Sequence, residues 1–455
     1  MKRFFAIAGL VLMSAFSFAQ QPILKTKVAQ GEIEGEVHNN TALYKAIPYA
    51  EPPVGNLRWK APVPKAPWQG VYKAADWGKM PCQGTNDRNK VSEDCLYLSV
   101  MTPAKSKDEK LPVFVMIHGG AYVGGHYAGD AVADHFTDEG IVYVSVEYRL
   151  GALGFMSHPE LSKESADGVS GNYGIMDQIL ALQWIHDNIA QFGGDPDKVT
   201  IAGESAGGIS VSILCASPLC KGLFRSAICE SGSSFWPVGS ERHGNTYMVD
   251  SKSAENAGVK FQQRMKAKNM KAFRAMDPMR IVDSTGWEAF WPVVDGKVIV
   301  DDQYKMYEAG NFNDVNILIG TNSDEGCFFT APTPVEQYEN RIKWIYGDFA
   351  DRVLKMYPAA NPAEAKDALS DIFRDGSFAW GTYAWANLQN KKSNKNVYLY
   401  YFDQNPKNGW GGSKRGAVHA VEMQFIYNMN RGNFTPLEQS VASIMTKYWI
   451  NFTKN

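Results

Sequence analysis

The sequence predicts an α/β fold, a mostly parallel central sheet with helices on both faces and inserted helices over the sheet's C-terminal edge. Three observations carry that expectation. Apolar strand-like segments alternate with helical patterns, two of those strands run straight into glycine-rich turns, and no repeat or composition shift divides the chain.

Taken in order, V-A-Q-G-E-I-E-G-E-V reads as an edge hairpin, and the proline-rich I-P-Y-A-E-P-P-V-G-N-L-R-W reads as a loop that hugs the surface. Strands follow at L-Y-L-S-V-M, P-V-F-V-M-I and I-V-Y-V-S-V. A long amphipathic helical run spans Tyr173 to Phe192, and V-T-I-A is the next strand. Further on, V-N-I-L-I-G and V-Y-L-Y-Y-F are separated by charged helical stretches, which are expected to pack over the carboxyl edge of the sheet. The pattern is that of one catalytic domain, residues 20–455, with inserted helices.

A chain of 455 residues with 45% hydrophobic and 12% aromatic content can bury a large core. Its formal charge of -2 offers no basic face for nucleic acid and no attraction to a membrane surface. The first residues, M-K-R-F-F-A-I-A-G-L-V-L-M-S-A-F-S-F-A, pair Lys2 and Arg3 with an apolar run that ends in small residues. They read as a signal peptide cut after Ala19, so the protein is expected to be exported, periplasmic or secreted. No later segment reads as a transmembrane helix.

Six cysteines remain in the exported part, an even count in an oxidising compartment. Cys82 and Cys95 bracket a polar stretch that a bridge could close. Cys215 and Cys220 are also near enough to pair, whereas Cys229 and Cys327 sit in apolar surroundings that suit free thiols. No Cys or His spacing suggests a metal, and nothing calls for a cofactor.

The chemistry enters at V-T-I-A-G-E-S-A-G-G-I-S, where a strand runs into a serine flanked by small residues. The spacing Gly203-Glu204-Ser205-Ala206-Gly207 reads as a nucleophile elbow, a sharp strand-to-helix turn that leaves no room for bulk two positions away. A serine hydroxyl needs a base, and in such folds the partners follow in the order serine, acid, histidine. Only His243 and His419 lie downstream. His243 sits in a polar stretch that reads as exposed, and His419 sits in R-G-A-V-H-A-V-E, after the last strand. The acid should follow the preceding strand in T-N-S-D-E-G, where spacing alone leaves both Asp324 and Glu325 open. Finally, P-V-F-V-M-I-H-G-G ends a strand in paired glycines. Backbone amides of Gly119, Gly120 and Ala206 could then form an oxyanion hole, each donor typically worth about 3 to 4 kcal/mol of barrier.

With these residues in view, the sequence resembles the type-B carboxylesterases, the α/β-hydrolase group that also contains the cholinesterases. G-E-S-A-G-G is similar to that family's nucleophile signature and S-E-D-C-L-Y-L to its second signature. E-Y-R-L-G-A-L-G-F, G-N-Y-G-I-M-D-Q, N-I-A-Q-F-G-G-D-P-D-K-V-T, W-P-V-V-D-G and G-A-V-H-A-V-E match as well, so the likeness spans most of the mature chain. The resemblance implies a serine esterase with Glu325 as the acid and Asp324 as a structural residue. It also implies two buried structural ion pairs, Arg58 with Glu93 and Arg149 with Asp177. Cys82 and Cys95 match the family's first disulfide.

Two departures bear on substrate. The Cys82–Cys95 loop is short and has no aromatic residue, so nothing there would stack on a quaternary ammonium, and choline esters are not expected. The same shortness leaves no lipase-like flap. Small-molecule, soluble, short-chain or aromatic esters are the expected substrates. Plant cell-wall esters, feruloyl or acetyl, are the alternative, permitted by export and by the aromatic cluster Trp287, Phe290 and Trp291. A non-catalytic binding module of the same fold is the alternative of another class, and it sits poorly with an intact Ser205, Glu325 and His419.

Overall fold

The computed structural model describes residues 21–126, 130–239, 248–286, 290–407, 413, 415–427, 429 and 433–455. The expected signal peptide, His243 and Trp287 lie outside the described residues. The sheet has nine strands: β1 (Glu36–His38), β2 (Thr41–Pro48), β3 (Tyr97–Thr102), β4 (Leu111–Ile117), β5 (Val142–Val146), β6 (Gly194–Glu204), β7 (Ser226–Glu230), β8 (Asn316–Asn322) and β9 (Val397–Phe402). Their spatial order is β9-β8-β7-β6-β4-β5-β3-β2-β1. Pairing is parallel from β9 through β5 and antiparallel from β5 to β1. Every apolar strand that the sequence marks is therefore present, and the sheet is mostly parallel.

The central strands read as unbroken apolar runs because both of their faces are covered. Val113, Val115 and Ile117 of β4 enter one core with Ile209, Val211 and Ile213 of α2 (Ala206–Ala216), whereas Phe114 and Met116 enter the other with Phe136, Tyr427 and Trp449. Alternate residues of β7 and β8 divide in the same way, with Ala227, Cys229, Ile317 and Ile319 on one side and Ile228 and Leu318 on the other. One strand thus serves two cores. Trp449 belongs to α5 (Pro436–Lys454), the last helix, which closes the second core.

Two local expectations change. The helix of the Tyr173 run, α1 (Tyr173–Asn188), is followed by a 3-10 turn at Ile189–Phe192 and is buried around most of its girth. Its outer side is covered by the N-terminal hairpin: Trp184 Nε1 donates to the Gln30 side chain at 3.0 Å, and Asn188 Oδ1 accepts the Ala29 amide at 2.8 Å. The proline-rich segment does more than hug the surface. Its Trp59 is 2% exposed and packs on Phe273 at 4.7 Å.

Both expected ion pairs are formed. Arg58 meets Glu93 through Nε at 2.6 Å and Nη2 at 2.5 Å, and its Nη1 donates to the carbonyls of Arg274 and Met276. Arg149 meets Asp177 at 2.8 and 2.6 Å, deeper still, with its own amide also donating to Asp177. Phe290 and Trp291, each 5% exposed, belong to the core rather than to a pocket wall.

Cys82 and Cys95, the two cysteines that spacing and resemblance pair, carry no bond to each other in this structure. Both are free, buried thiols, although they line one small cavity together with Arg58, Glu93 and Arg149. Burial pushes the Cys82 thiol up to about 12 and Cys95 well above the ordinary thiol range. Cys215, Cys220, Cys229 and Cys327 are free as well.

The Arg149–Asp177 pair makes a stability prediction. Asp177→Ala would leave a guanidinium that is 3% exposed without its counter-charge, so it should cost about 3 to 5 kcal/mol in urea unfolding. Glu51→Ala, which breaks the half-exposed pair with Lys65, should cost under about 1 kcal/mol. Equal shifts for the two variants would contradict the scaffold role of Arg149.

Candidate active site

The corner at Ser205 is a crowded piece of backbone. A Cβ on Gly207 would sit 2.1 Å from the Ile117 carbonyl oxygen at the end of β4, and one on Gly203 would sit 2.4 Å from the Gly207 carbonyl carbon. Only glycine fits at either place. Ser205 itself is held at φ 57° and ψ -122°, a strained conformation for a residue with a side chain, costing on the order of 1–3 kcal/mol. It is held by its amide, which donates to the Glu230 carbonyl at the end of β7 at 2.9 Å, and by its carbonyl, which accepts the Ile209 amide of α2 at 2.9 Å. The hydroxyl is thereby lifted off the end of the sheet.

Two loops at the same edge complete a chain of hydrogen bonds. His419 Nε2 lies 2.9 Å from Ser205 Oγ, and His419 Nδ1 lies 2.6 Å from Glu325 Oε2. A carboxylate only accepts, so the proton of the neutral ring belongs on Nδ1 and Nε2 is left to accept from the serine. Glu325 is fully buried, and its other oxygen accepts the Asn322 amide at 2.7 Å. Of the two acids that spacing left open, Glu325 is the one that reaches the His419 ring. Asp324 instead accepts from the hydroxyls of Ser370 and Ser413, and its amide donates to the Ala417 carbonyl, tying the two loops to each other.

The glycine turn after β4 lies against the serine. A Cβ on Gly119 would sit 2.5 Å from the Glu204 carbonyl oxygen and 3.3 Å from the Ser205 Cβ, and Gly120 has φ +108°. Ala206 opens α2 directly behind the serine. The turn is fixed from two sides. Tyr148 OH donates to the His118 carbonyl at 2.7 Å, and the Gln83 amide group exchanges hydrogen bonds with the backbone of Gly125 at 2.8 and 3.0 Å.

Several residues near the chemistry escaped the sequence reading. Glu204 Oε1 is 3.3 Å from His419 Nε2, and Glu422 sits deeper, receiving Asn322 Nδ2 and, at 3.3 Å, Ser231 Oγ. Glu204 was in plain view inside G-E-S-A-G, and Glu422 lies three residues after His419 in H-A-V-E. Phe329 and Phe378 also contact the His419 ring, and no local pattern marks either of them. Among the described residues no group of side chains has the makings of a metal site.

The carboxylates set the charge of the ring. Burial acts to lower the His419 pKa, but Glu204 and Glu325 outweigh it and raise it to about 9. Burial raises Glu204 in turn, while the His419 charge 3.3 Å away acts to lower it. A ring that must be neutral to accept a proton then gains competence as pH rises through its raised pKa. The acidic limb of kcat/KM should lie above the ordinary imidazole value of 6.5. Glu204→Gln removes one of the charges that favour the imidazolium and should move that limb down by roughly one pH unit, measured with a chromogenic ester. A limb that holds still or moves up would show that Glu204 does not act on His419.

With the geometry described, the comparisons with known proteins bear on it. The carboxylesterase family model matches residues 20–455. The fumonisin B1 esterase of Sphingopyxis macrogoltabida is 32% identical over 95% of this chain and 82% of its own length. The para-nitrobenzyl esterase of Bacillus subtilis (strain 168) is also 32% identical, over 93% of this chain and 88% of its own. A solved PNB esterase superposes with a TM-score of 0.81 at 29% identity, covering 96% of this chain and 91% of that one. An α/β-hydrolase sheet, a family match along nearly the whole length and esterase relatives agree: the chain belongs to the carboxylesterase family and is a carboxylic ester hydrolase.

Proposed function

We propose that this chain hydrolyses soluble short-chain or aromatic carboxylic esters through a covalent acyl-enzyme on Ser205. The observation that carries the mechanism is the unbroken hydrogen-bonded run Ser205 Oγ, His419 Nε2, His419 Nδ1, Glu325 Oε2 at 2.9 and 2.6 Å. Ser205 Oγ attacks the ester carbonyl carbon while His419 Nε2 takes its proton. The amides of Gly119, Gly120 and Ala206 receive the oxyanion. The bond to the alcohol oxygen then breaks, and the imidazolium returns the proton to the departing alkoxide. Water repeats the sequence, giving the acid and freeing the serine, while Glu325 keeps the ring's tautomer and orientation.

The substrate reading is supported by what lies next to His419. Phe328 and Phe329 lie three and four residues after Glu325 and are 56% and 42% exposed, and Phe329 meets the His419 ring edge-on at 5.4 Å. Phe329 thus offers a partly open aromatic surface beside His419, suited to an apolar or aromatic ester group. Export by the N-terminal leader is part of the same proposal and is tested by recovering mature chain that begins after Ala19.

A panel of esters that varies the acyl and alcohol parts separately, with para-nitrobenzyl esters, feruloyl esters, acetylated xylan and fumonisin B1 among them, tests the substrate class. Turnover limited to polysaccharide decorations would overturn it, and turnover of nothing would leave a binding module. Ser205→Ala should keep less than about a thousandth of wild-type kcat, since losing a triad serine commonly costs about a million-fold. Glu325→Gln should lose most of the activity with folding intact. Asp324→Asn should chiefly lower the melting temperature, because its partners join two loops; equal kcat losses for the two variants would reverse their assignment.

A further inference from the structure

The helix that leads away from the site contains one wide turn. α3 (Pro362–Arg374) and α4 (Trp380–Lys392) are joined without a break by a π-helical turn at Asp375–Ala379, whose end is marked by the Trp380 amide donating to the Asp375 carbonyl five residues back. Such turns are uncommon and tend to occur at functional sites. Phe373 and Phe378 span this one. In an uninterrupted α-helix, residues five apart point about 140° away from each other, so both could not face one spot. Closing the turn from i to i+5 brings them to the same side, with ring centroids 5.8 Å apart.

That side is His419. The Phe378 ring, 5% exposed, stacks on the imidazole at 4.8 Å and 23°, and Phe329 meets the same imidazole at 5.4 Å and 65°. Phe373 closes the circuit, stacked on Phe329 at 4.5 Å. The wide turn is itself anchored. Trp236 Nε1 donates to the Ser377 carbonyl at 3.2 Å, and Asp375 accepts from Tyr357 OH at 2.7 Å and Arg374 Nε at 2.8 Å.

We propose that the π-helical turn is retained to seat Phe378 on His419, and that Phe378 is a positioning residue for the general base. The inference rests on Ser205 and His419 acting as described above. Two hydrogen bonds hold the imidazole in its plane, through Nδ1 and Nε2, but the second is lost whenever the serine oxygen becomes part of an ester. For that interval a flat ring face keeps Nε2 aimed at the reacting oxygen. The phenyl π-face also favours the imidazolium that forms in both halves of the reaction. The groups facing His419 from its other sides are the carboxyls of Glu204, Glu325 and Glu422, whereas the helical side presents phenyl rings, with Arg374 engaged by Asp371 and Asp375.

The test compares Phe378→Met, similar in bulk but without a ring, with Phe378→Tyr, which keeps one. Melting temperature is measured alongside to separate misfolding from misplacement. Phe378→Met should lower kcat about tenfold with little change in KM and move the acidic limb of the pH profile down by about half a unit, while Phe378→Tyr stays near wild type in both. An unmoved limb in Phe378→Met, or a Tyr variant as impaired as the Met variant at equal stability, would overturn the proposal. Covalent labelling with a fluorophosphonate keeps the two readings apart. A wild-type enzyme that fails to label at Ser205 would count against the nucleophile assignment, whereas normal labelling with unaltered Phe378→Met kinetics counts against the positioning role alone.

Discussion

The structure turns on a contact between backbones. Where β6 gives way to α2, the chain doubles back so tightly that Gly207 lies against the carbonyl of Ile117 on the neighbouring strand, and Gly203 lies against Gly207. Any side chain at either glycine would push β4, β6 and α2 apart. Those elements also hold the glycine turn at Gly119 and, through β7, the carbonyl that secures the Ser205 amide. The strain at Ser205 is tolerated because a fully packed sheet surrounds it. The position of the serine hydroxyl is therefore a property of the sheet's packing and does not depend on loop flexibility.

From that corner the rest of the site is assembled by loops that agree on a common edge. The β8 loop supplies Glu325, the loop after β9 supplies His419, and Asp324 binds one loop to the other through Ser413 and the Ala417 carbonyl. The consequence is electrostatic. Glu204, Glu325 and Glu422 are buried near one imidazole, Glu230 is buried next to Glu204 and Glu422, and burial raises Glu204, Glu230 and Glu422. Desolvation thus favours the protonated forms of Glu204, Glu230 and Glu422. Glu230 carries this network out to the last helix, accepting from Trp449 Nε1 at 2.6 Å and from Tyr427 OH at 3.1 Å. The C-terminal helix is thus joined to the strand whose carbonyl holds the nucleophile.

Much of the architecture was legible because the signals were local. Continuous apolar runs marked the central strands, since strands buried on both faces have no polar side to show. The glycine spacing around Ser205 reported a crowded turn, and chain order narrowed the base to His243 and His419. Other features depended on what lies across the fold. The helix at Tyr173 is buried beyond its expected face because a hairpin more than a hundred residues earlier in the sequence covers it.

By itself, the sequence determined the fold class and the crowded glycine corner at Ser205, put Ser205, Glu325 and His419 forward in chain order as partners, and, by resemblance, marked the two buried ion pairs. Each of these is written in short-range spacing or composition. Resemblance pointed to Glu325 over Asp324, but only the tertiary structure showed which partner each acid reaches, set Glu204 and Glu422 beside the histidine, and placed Phe378 on its ring. Adjacent acids in T-N-S-D-E-G are alike in local chemistry and differ only in which partner each can reach, Ser370 and Ser413 for one and His419 for the other. Phe378 reaches His419 through a turn whose width is an outcome of packing, and no spacing in the sequence announces it. Contacts between segments far apart in the chain are made by folding, and that is the physical reason they could not be read before it.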